Sequence, residues 1–406
     1  MLTLEQFKEA RAVLRGVISD TALVHSKYFS ALCGNEVYLK PENLQVTGAY
    51  KIRGAYYKTS KLTDAQKAHG LITASAGNHA QGVAYAAQVA GVKATVVMPT
   101  TTPLMKVNRT KQYGAKVILY GAVFDDAAEY AIKLAQEQHI TYIPPFNDLE
   151  IACGQGTIAY EIFQSLPDVD IILVPIGGGG LAAGVSTLAK LLNPHVKVIG
   201  VEPTGAASMK ASVEAGHIVT LPSAVTIADG VAVRTPGDLV FPYVQKNVDE
   251  FLAIEDDELV DAFLDIMENH KMIVENAGLL SVAALRHLDC TGKNVVSILS
   301  GGNMDVITMA SLVQYGLINR GRVFTFSVML PDRPGELLHV AEIVARQSGN
   351  IIKLEHNQFV SINRLSKVEL RVTLEAFGHE HKAAILEALR KEGYDARAVD
   401  SQSVYD

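Results

Sequence analysis

The sequence predicts an α/β protein built on parallel strands, followed by a small βαββαβ module at its C-terminus. Short β-branched runs alternate with helical patterns, and several of these runs are apolar throughout. Strands that are apolar on both faces are expected where helices cover both sides of a parallel sheet. The predicted strands, in chain order, are Val37–Leu39, Leu71–Thr73, Ala94–Met98, Lys116–Leu119, Ile171–Val174, Val196–Ile199 and Val295–Leu299.

A second pattern begins near residue 320 and predicts a separate module. Phe324–Leu330 alternates in hydrophobicity, and a turn at Pro331–Gly335 leads into a helix that ends before Gly349. The remaining elements are a strand at Ile351–Leu354, an alternating strand at Val368–Leu374, a helix carrying Ile385, Leu386 and Leu389, and a strand at about Asp395–Val399. This βαββαβ order is that of the ferredoxin-like motif. We therefore predict a large α/β unit at 1–320, with a smaller lobe nested at roughly 45–140, and a ferredoxin-like module at 324–406.

Composition and charge narrow the possible functions. The chain has 406 residues, of which 49% are hydrophobic and 19% charged, a balance typical of globular proteins. Because 36 basic residues face 43 acidic ones and no basic block occurs, we expect no nucleic-acid partner. Neither a secretory signal nor an apolar run of the ~20 residues that cross a membrane is visible, so we expect no membrane partner. Cys33, Cys153 and Cys290 lack disulfide or zinc spacing, which predicts reduced thiols in a cytoplasmic protein.

Four consecutive glycines are the first feature that suggests a binding site. Gly177–Gly180 follow the strand at Ile171–Pro175 and precede a helix predicted at Leu181–Leu192. Glycines let backbone N–H groups approach an anion, and the helix N-terminus adds the positive end of its dipole. The spacing is neither that of a Walker loop nor the Gly-x-Gly-x-x-Gly of dinucleotide sites. A phosphate-binding turn is favoured over a plain tight turn.

Two further segments are compatible with a reaction centre, but each also has an ordinary structural explanation. Ser75-Ala76-Gly77-Asn78-His79 follows a strand and opens a helix, where polar side chains and free amides can bind a carboxylate or a phenolate-like oxygen. An ordinary N-cap role for Ser75 or Asn78 explains that segment equally well. Lys51 lies in the segment Gly48–Gly54, where a desolvated amine would suit a Schiff base. From those residues alone, a solvated surface lysine is the better interpretation.

Taken together, these segments resemble a known family. Gly48-Ala49-Tyr50-Lys51-Ile52-Arg53-Gly54, the Ser75–His79 segment, the tetraglycine turn and Ser300-Gly301-Gly302-Asn303 occur in the order seen in tryptophan-synthase-β-like, fold type II pyridoxal-phosphate enzymes. Within that fold the similarity is greatest to the serine/threonine dehydratases, and it covers residues 5–320. At the C-terminus, Leu330–Leu337 resembles the opening of an ACT regulatory module.

The resemblance implies a role for each matched residue, with pyridoxal 5'-phosphate as cofactor. Lys51 would hold the cofactor as a Schiff base and later take the substrate α-proton, Tyr50 would sit against the ring, and Asn78 would bond the ring hydroxyl. The implied cofactor-binding residues are Tyr50, Lys51, Asn78, Gly177, Gly178, Gly179, Gly180, Leu181, Gly230, Glu275 and Ser300. Those implied to line the substrate carboxylate site are Ser75, Ala76, Gly77 and His79.

The implied reaction is elimination from an amino-acid substrate. A neutral Ser300 facing the pyridine nitrogen would favour prompt loss of the β-hydroxyl, turning L-threonine, and also L-serine, into a 2-oxo acid and ammonia. Some relatives that racemise serine carry a second serine where this chain has Ala76, so we expect elimination without racemisation. Some relatives also bind a divalent ion through an aspartate where this chain has Ser208, so we expect no divalent site, while monovalent cation activation stays open.

Several functions other than threonine dehydration are also considered for this sequence. A serine dehydratase or a serine racemase-like enzyme would share these motifs, since one methyl group changes pocket affinity by only ~1–3 kcal/mol. β-Replacement, as in cysteine synthase, is disfavoured because Ile52 follows the lysine where those enzymes have an asparagine. A non-catalytic amino-acid-binding regulator is disfavoured by the intact Lys51.

The pattern of the C-terminal module predicts that it joins subunits and that it binds a regulatory amino acid. A single βαββαβ unit leaves a sheet face and an edge uncovered, so we expect two such modules to associate, giving a homodimer or a homotetramer. The Pro331–Leu337 turn and Asn350 lie where an amino-acid effector would bind at the shared edge. A purely structural dimerisation role is the alternative.

Overall fold

The structure, a computed structural model, describes residues 1–357 and 368–399. It divides into two compact units, Met1–Val306 and Ile307–Asp406. The domain limits predicted from the sequence, 1–320 and 324–406, stay predictions, and positions 358–367 and 400–406 of the second domain lie outside the described residues.

Strands and helices alternate along the first unit, as the hydrophobic pattern predicts. The strands are β1 (Val24–His25), β2 (Glu36–Pro41), β3 (Leu71–Ala74), β4 (Ala94–Met98), β5 (Lys116–Leu119), β6 (Thr141–Tyr142), β7 (Ile171–Pro175), β8 (Lys197–Pro203), β9 (Glu250–Ile254) and β10 (Asn294–Leu299). The helices are α1 (Leu4–Leu14), α2 (Lys27–Cys33), α3 (Lys51–Lys61), α4 (Asp64–His69), α5 (Asn78–Ala90), α6 (Leu104–Gln112), α7 (Phe124–Gln138), α8 (Leu149–Ser165), α9 (Gly180–Leu192), α10 (Ser208–Ala215), α11 (Phe241–Asn247), α12 (Asp256–His270) and α13 (Asn276–Ala283). Short 3₁₀ turns lie at Glu42–Leu44, Thr204–Ala206, Asp229–Val231 and Ala284–His287.

These strands form two sheets. The larger has the order β1-β2-β10-β7-β8-β9 and the smaller the order β5-β4-β3-β6. Every pairing is parallel except that of β1 with β2. All residues of β3 and β7 are buried, which confirms that the continuous apolar runs are strands covered on both faces. Three strands were not predicted from the sequence. β1 and β6 have only two residues each, and β9 is a partly exposed edge strand.

Both sheets bring the carboxyl ends of their strands to one region. β7 runs into the tetraglycine turn, β10 into Ser300, and β3 into Ser75–Asn78. The first residue of α3 is Lys51, and the preceding Tyr50 N–H donates to the Ser300 carbonyl (3.1 Å). Open α/β sheets bind ligands at the carboxyl ends of their strands, so this region is where a ligand is expected.

The second unit is an antiparallel sheet covered by helices. Its elements are α14 (Val306–Asn319), β11 (Val323–Leu330), α15 (Glu336–Arg346), β12 (Asn350–Asn357), β13 (Val368–Glu375), α16 (His379–Lys391) and β14 (Arg397–Ala398). The strand order β12-β13-β11-β14 is the ferredoxin-like order, which confirms the predicted motif and is consistent with an ACT-like module. Its core joins Val340 and Val344 of α15 and Leu389 of α16 to Phe326 and Leu370 of the sheet.

No helix among the described residues, in either unit, is both long enough and apolar enough to span a membrane.

Candidate active site

A cavity lies at the carboxyl ends of the strands in the first unit. It brings together all eleven residues that the sequence analysis assigned to cofactor binding. They are Tyr50, Lys51, Asn78, Gly177, Gly178, Gly179, Gly180, Leu181, Gly230, Glu275 and Ser300. Their individual roles stay predictions, but residues far apart in sequence now share one surface.

One end of the cavity, here called the glycine end, is made by the backbone of Gly177–Gly180. Gly179 has φ of 100°, a left-handed conformation that favours glycine, and it caps the N-terminus of α9. A Cβ at Gly177 would lie 2.9 Å from Val231 Cα, and one at Gly178 would overlap the Phe146 ring. The first N–H groups of a helix have no intrahelical partner, so this end offers backbone donors and a positive dipole without any intervening side chain.

Lys51, the first residue of α3, lines the cavity. Its Nζ donates to the Pro145 carbonyl (2.8 Å) and lies 5.3 Å from the centre of the Tyr50 ring. Burial lowers the pKa of Lys51 to about 8, while the negative charge of Glu275 acts in the opposite direction. An amine with that pKa is partly unprotonated near neutral pH and can act as a nucleophile. The structure therefore contradicts the interpretation of Lys51 as a solvated surface lysine.

The other end, here called the side-chain end, is made by Asn78 and Glu275. Asn78 Nδ2 donates to Glu275 Oε1 (2.6 Å), and Asn78 Oδ1 accepts from Asn303 Nδ2 (2.9 Å). Burial raises the pKa of Glu275 to about 7, and the nearby Asp229 adds to that effect. The amide of Asn78 is thus held from both sides while one of its N–H groups remains available.

Ser300 and Gly230 complete the wall between the two ends. Ser300 is a neutral, buried residue that follows β10 directly. A Cβ at Gly230 would lie 3.1 Å from the Ala277 Cβ and 3.8 Å from Glu275 Oε1, so the loop passes close to the side-chain end.

The four residues predicted to bind a substrate carboxylate lie on the loop and first turn around Asn78, and none of them is among the lining residues of the cavity. The Gly77 N–H donates to Ser75 Oγ (3.2 Å). The His79 ring is buried, and its Nε2 is hydrogen-bonded to the Ile143 carbonyl (3.0 Å). Because a carbonyl oxygen can only accept, we assign the ring proton to Nε2. Burial and then the charge of Lys51 lower the pKa of His79 to about 3, so the ring is neutral. The side-chain N–H of His79 is therefore committed to Ile143, and the carboxylate site stays a prediction.

A buried ionic cluster supports the helix that carries Lys51. Arg53 lies two residues further on and donates through Nε and Nη2 to both oxygens of Glu42 (2.8 Å each) and through Nη1 to Glu161 (2.6 Å). Lys40 contacts Glu161 as well (2.5 Å). Burial alone would raise the pKa of Glu42, but Arg53, together with Lys40 and Thr21, outweighs it and holds the pKa below its ordinary value. Removing one partner of such a cluster leaves an uncompensated buried charge, so the cluster fixes the position of α3 firmly.

Glu202 lies six residues before Ser208, the position from which we expect no divalent site. The carboxylate of Glu202 is bound by protein groups. Its oxygens accept the N–H groups of Met209 (2.9 Å) and Lys210 (2.7 Å), and burial raises its pKa to about 7. Within residues 1–357 and 368–399, no three His, Cys, Asp or Glu side chains are grouped to hold a metal ion.

Sequence reasoning missed Phe146, Pro145 and Asn303 as parts of the site. Phe146 and Pro145 belong to the segment Pro144–Asn147 between β6 and α8, where consecutive prolines followed by an aromatic residue are a usable signal. Asn303 stands in the matched Ser300–Asn303 segment but was given no role. Its contact with Asn78 spans 225 residues, which local patterns do not report.

Comparison with known proteins gives a matching family and similar individual proteins. The profile of the family described as pyridoxal-phosphate dependent enzyme matches residues 14–301. An L-threonine ammonia-lyase of Thermotoga maritima is 43% identical over 400 residues, which are 98% of this chain and 100% of that protein.

Two solved structures resemble most of this chain. The processed form of threonine deaminase isoform 2 from Solanum lycopersicum has a TM-score of 0.73 at 37% identity, over 77% of this chain and 94% of that one. Maize serine racemase has a TM-score of 0.73 at 34% identity, over 78% of this chain and 98% of that one. The predicted fold is confirmed by these similarities.

Proposed function

The chain belongs to the pyridoxal-phosphate-dependent enzyme family, and we propose that it is an L-threonine ammonia-lyase, which converts L-threonine to 2-oxobutanoate and ammonia. The observation that carries the proposal is the grouping of the predicted cofactor residues, Lys51 among them, around one cavity. The similarity to the Thermotoga maritima enzyme over nearly the whole chain supports the same substrate.

The residues present fit pyridoxal phosphate. The glycine end carries no side chain, since a Cβ at Gly177 or Gly178 would overlap Val231 or Phe146, and its backbone donors suit a phosphate group. The buried amine of Lys51 has the lowered pKa that a covalent bond to an aldehyde requires. Asn78 keeps one N–H for a ring hydroxyl, and Ser300 offers a neutral hydroxyl for a ring nitrogen.

The chain's own residues then account for an elimination. When bound, pyridoxal phosphate supplies an electron sink for the substrate α-carbon. Lys51 would be the base that takes the α-proton, because it lines the cavity and its amine has a lowered pKa. The α-proton and the β-hydroxyl leave as water, and one water is taken up again when the amino group departs as ammonia.

A single pair of variants tests the proposal. Purified protein is assayed for 2-oxobutanoate from L-threonine, and the visible absorption of the bound cofactor near 410 nm is recorded. Lys51→Ala is expected to lose both signals, whereas Lys61→Ala, a change at a more exposed lysine of the same helix, keeps both. Turnover or a cofactor band retained by Lys51→Ala would contradict the proposal.

A second candidate is serine racemisation or serine dehydration, favoured by the similarity to maize serine racemase. Racemisation needs an acid or base on the ring face opposite Lys51, and a methyl group at Ala76 supplies neither. We expect L-serine to give pyruvate without D-serine. D-serine formed as fast as pyruvate would establish the racemase instead.

For the second unit we propose an ACT regulatory module that binds an amino-acid effector and joins subunits into a homodimer or homotetramer. The ferredoxin-like strand order and the Pro331–Leu337 turn into α15 support it. Asn350, a predicted effector contact, donates to Glu375 (2.7 Å). Initial rates of the full chain with isoleucine, valine and nucleotides, and its mass by light scattering, test both parts. Hyperbolic kinetics without any response would leave only the assembly role.

A further inference from the structure

Four polar side chains form a continuous row of hydrogen bonds at the side-chain end of the cavity. Arg109 Nη1 donates to Asn303 Oδ1 (3.1 Å), Asn303 Nδ2 donates to Asn78 Oδ1 (2.9 Å), and Asn78 Nδ2 donates to Glu275 Oε1 (2.6 Å). Every donor points the same way, from the guanidinium to the carboxylate. We call this row the Arg109 relay.

The network itself determines the orientation of both amides. Asn303 Nδ2 also donates to the Thr47 carbonyl (2.7 Å), so both of its protons are used and its oxygen must face Arg109. The Asn78 oxygen faces Asn303 and its nitrogen faces Glu275. One N–H of Asn78 is left for the cavity, which Asn78 lines.

The surrounding backbone leaves room for the relay. A Cβ at Gly48, which has φ of 73°, would overlap the Asn303 amide, and a Cβ at Gly301 would overlap Glu275. Any larger residue at either position would displace a member of the relay.

The relay also joins the two sheets. Arg109 on α6 and Asn78 on α5 belong to the part of the chain that forms the smaller sheet, whereas Asn303 and Glu275 flank elements of the larger one. Each of the three hydrogen bonds therefore crosses between the two sheets. A second contact from α6, Lys106 to Asp229 (3.1 Å), crosses at the same place.

We propose that Arg109 is a positioning residue that acts on the cofactor ring through Asn303 and Asn78; this rests on the proposed function. An amide whose oxygen accepts a hydrogen bond becomes a stronger donor at its nitrogen, and rows of hydrogen bonds polarise one another. A cation at the head of the row therefore strengthens the remaining N–H of Asn78 toward a ring oxygen. Arg109 itself is not among the residues that line the cavity.

Arg109→Met tests the relay, and Lys111→Met is its control, because it removes one positive charge from an exposed position of the same helix. Two readouts are measured: the dissociation constant of pyridoxal phosphate from the apoprotein, and the pH midpoint of the bound cofactor's visible band. Because Arg109 acts on the cofactor only by polarising the row, affinity should weaken by about threefold to tenfold in Arg109→Met, less than the loss of a direct hydrogen bond to a charged group. The midpoint should rise, because a weaker donor stabilises the ring oxyanion less.

Arg109→Lys should recover part of both effects, and Lys111→Met should change neither. No effect in Arg109→Met, or an equal effect in Lys111→Met, overturns the proposal.

A double-mutant cycle decides whether Arg109 acts through Asn303. Arg109→Met is expected to add nothing in an Asn303→Ala background, since the relay is already broken there. Additive losses would overturn the proposal. If Arg109→Met does not fold, Arg109→Gln takes its place in the same cycle. A wild type that binds no pyridoxal phosphate would refute the proposed function, whereas a normal wild type with an unaffected Arg109→Met refutes only the relay.

Discussion

The glycine end and the side-chain end of the cavity are built in different ways. The glycine end comes from one contiguous turn, Gly177–Gly180, and offers only backbone groups. The side-chain end is made by Asn78 and Glu275, and Asn303 and Arg109 support it from behind through hydrogen bonds. These four residues belong to four separate segments and include two ionisable groups.

This difference predicts different sensitivities. An end made of backbone is insensitive to pH but has no space for a side chain, since a Cβ at Gly177 or Gly178 meets atoms already in place. An end made of side chains tolerates a change of size better than a change of charge, because its groups are held by directed hydrogen bonds in a buried setting.

The largest effect is expected from Gly178→Val at the glycine end. The branched side chain would overlap the Phe146 ring and occupy the approach of the phosphate. Affinity for pyridoxal phosphate should fall by on the order of 100-fold, and the melting temperature of the apoprotein should fall by a few degrees because of the same overlap. Adding Phe146→Ala should restore part of the affinity, because it removes the overlap. Unchanged affinity in Gly178→Val would mean that the phosphate lies elsewhere.

A charge change at the side-chain end should cost more than a size change. Asn78→Asp places a second carboxylate in hydrogen-bond range of Glu275, whereas Asn78→Ala only removes contacts. Like charges at that distance oppose each other, so Asn78→Asp should bind the cofactor about tenfold more weakly than Asn78→Ala. Equilibrium titration of the two apoproteins checks this. Equal affinities would show that charge at this end does not matter.

The glycine end of the site could be predicted from the sequence more readily than the side-chain end. Four glycines between a strand and a helix are visible in the sequence, and the structure places them at a helix N-terminus beside the cavity. The segment around Asn78 was also visible, but an ordinary N-cap role explained it equally well, and Glu275 was reached only through resemblance to a family. Arg109 lies on a helix with no motif, and its partner Asn303 is 194 residues away, so no local pattern could indicate it.

The fold shows a similar limit. β4 and β5 have the bounds that the hydrophobic pattern predicts, and the βαββαβ order of the second unit is confirmed. The assignment of strands to two sheets could not be derived from that pattern, because a buried parallel strand has the same composition in either sheet. Long-range packing decides it.

The pH dependence of cofactor attachment should reside at Lys51 and the side-chain end. Because burial lowers the pKa of Lys51 to about 8, the rate at which apoprotein takes up pyridoxal phosphate should rise with a midpoint near pH 8. Glu275 favours the charged amine, so Glu275→Gln should move the midpoint to lower pH. Stopped-flow absorbance over pH 6 to 10 measures both midpoints. A wild-type midpoint near that of a free lysine would contradict the desolvation of Lys51.

The smallest effect is expected on the acid stability of the apoprotein, through His79 beside Asn78. Burial, with a further contribution from Lys51, lowers the pKa of His79 to about 3 in the folded state, whereas an unfolded histidine has a pKa of about 6.5. Below pH ~6.5 the unfolded chain therefore binds a proton that the folded chain does not, and the free energy of unfolding falls by up to about 1.4 kcal/mol per pH unit as pH decreases toward 3.

His79→Gln isolates this contribution. Glutamine keeps a donor for the Ile143 carbonyl and does not titrate. Between pH 7 and pH 5, the melting temperature of the wild type should therefore fall by a few degrees more than that of the variant. His195→Gln, at an exposed histidine far along the chain, should run parallel to the wild type. If His79→Gln also runs parallel, His79 is not held neutral by the fold, and the acid sensitivity of the apoprotein does not originate at the side-chain end of the cavity.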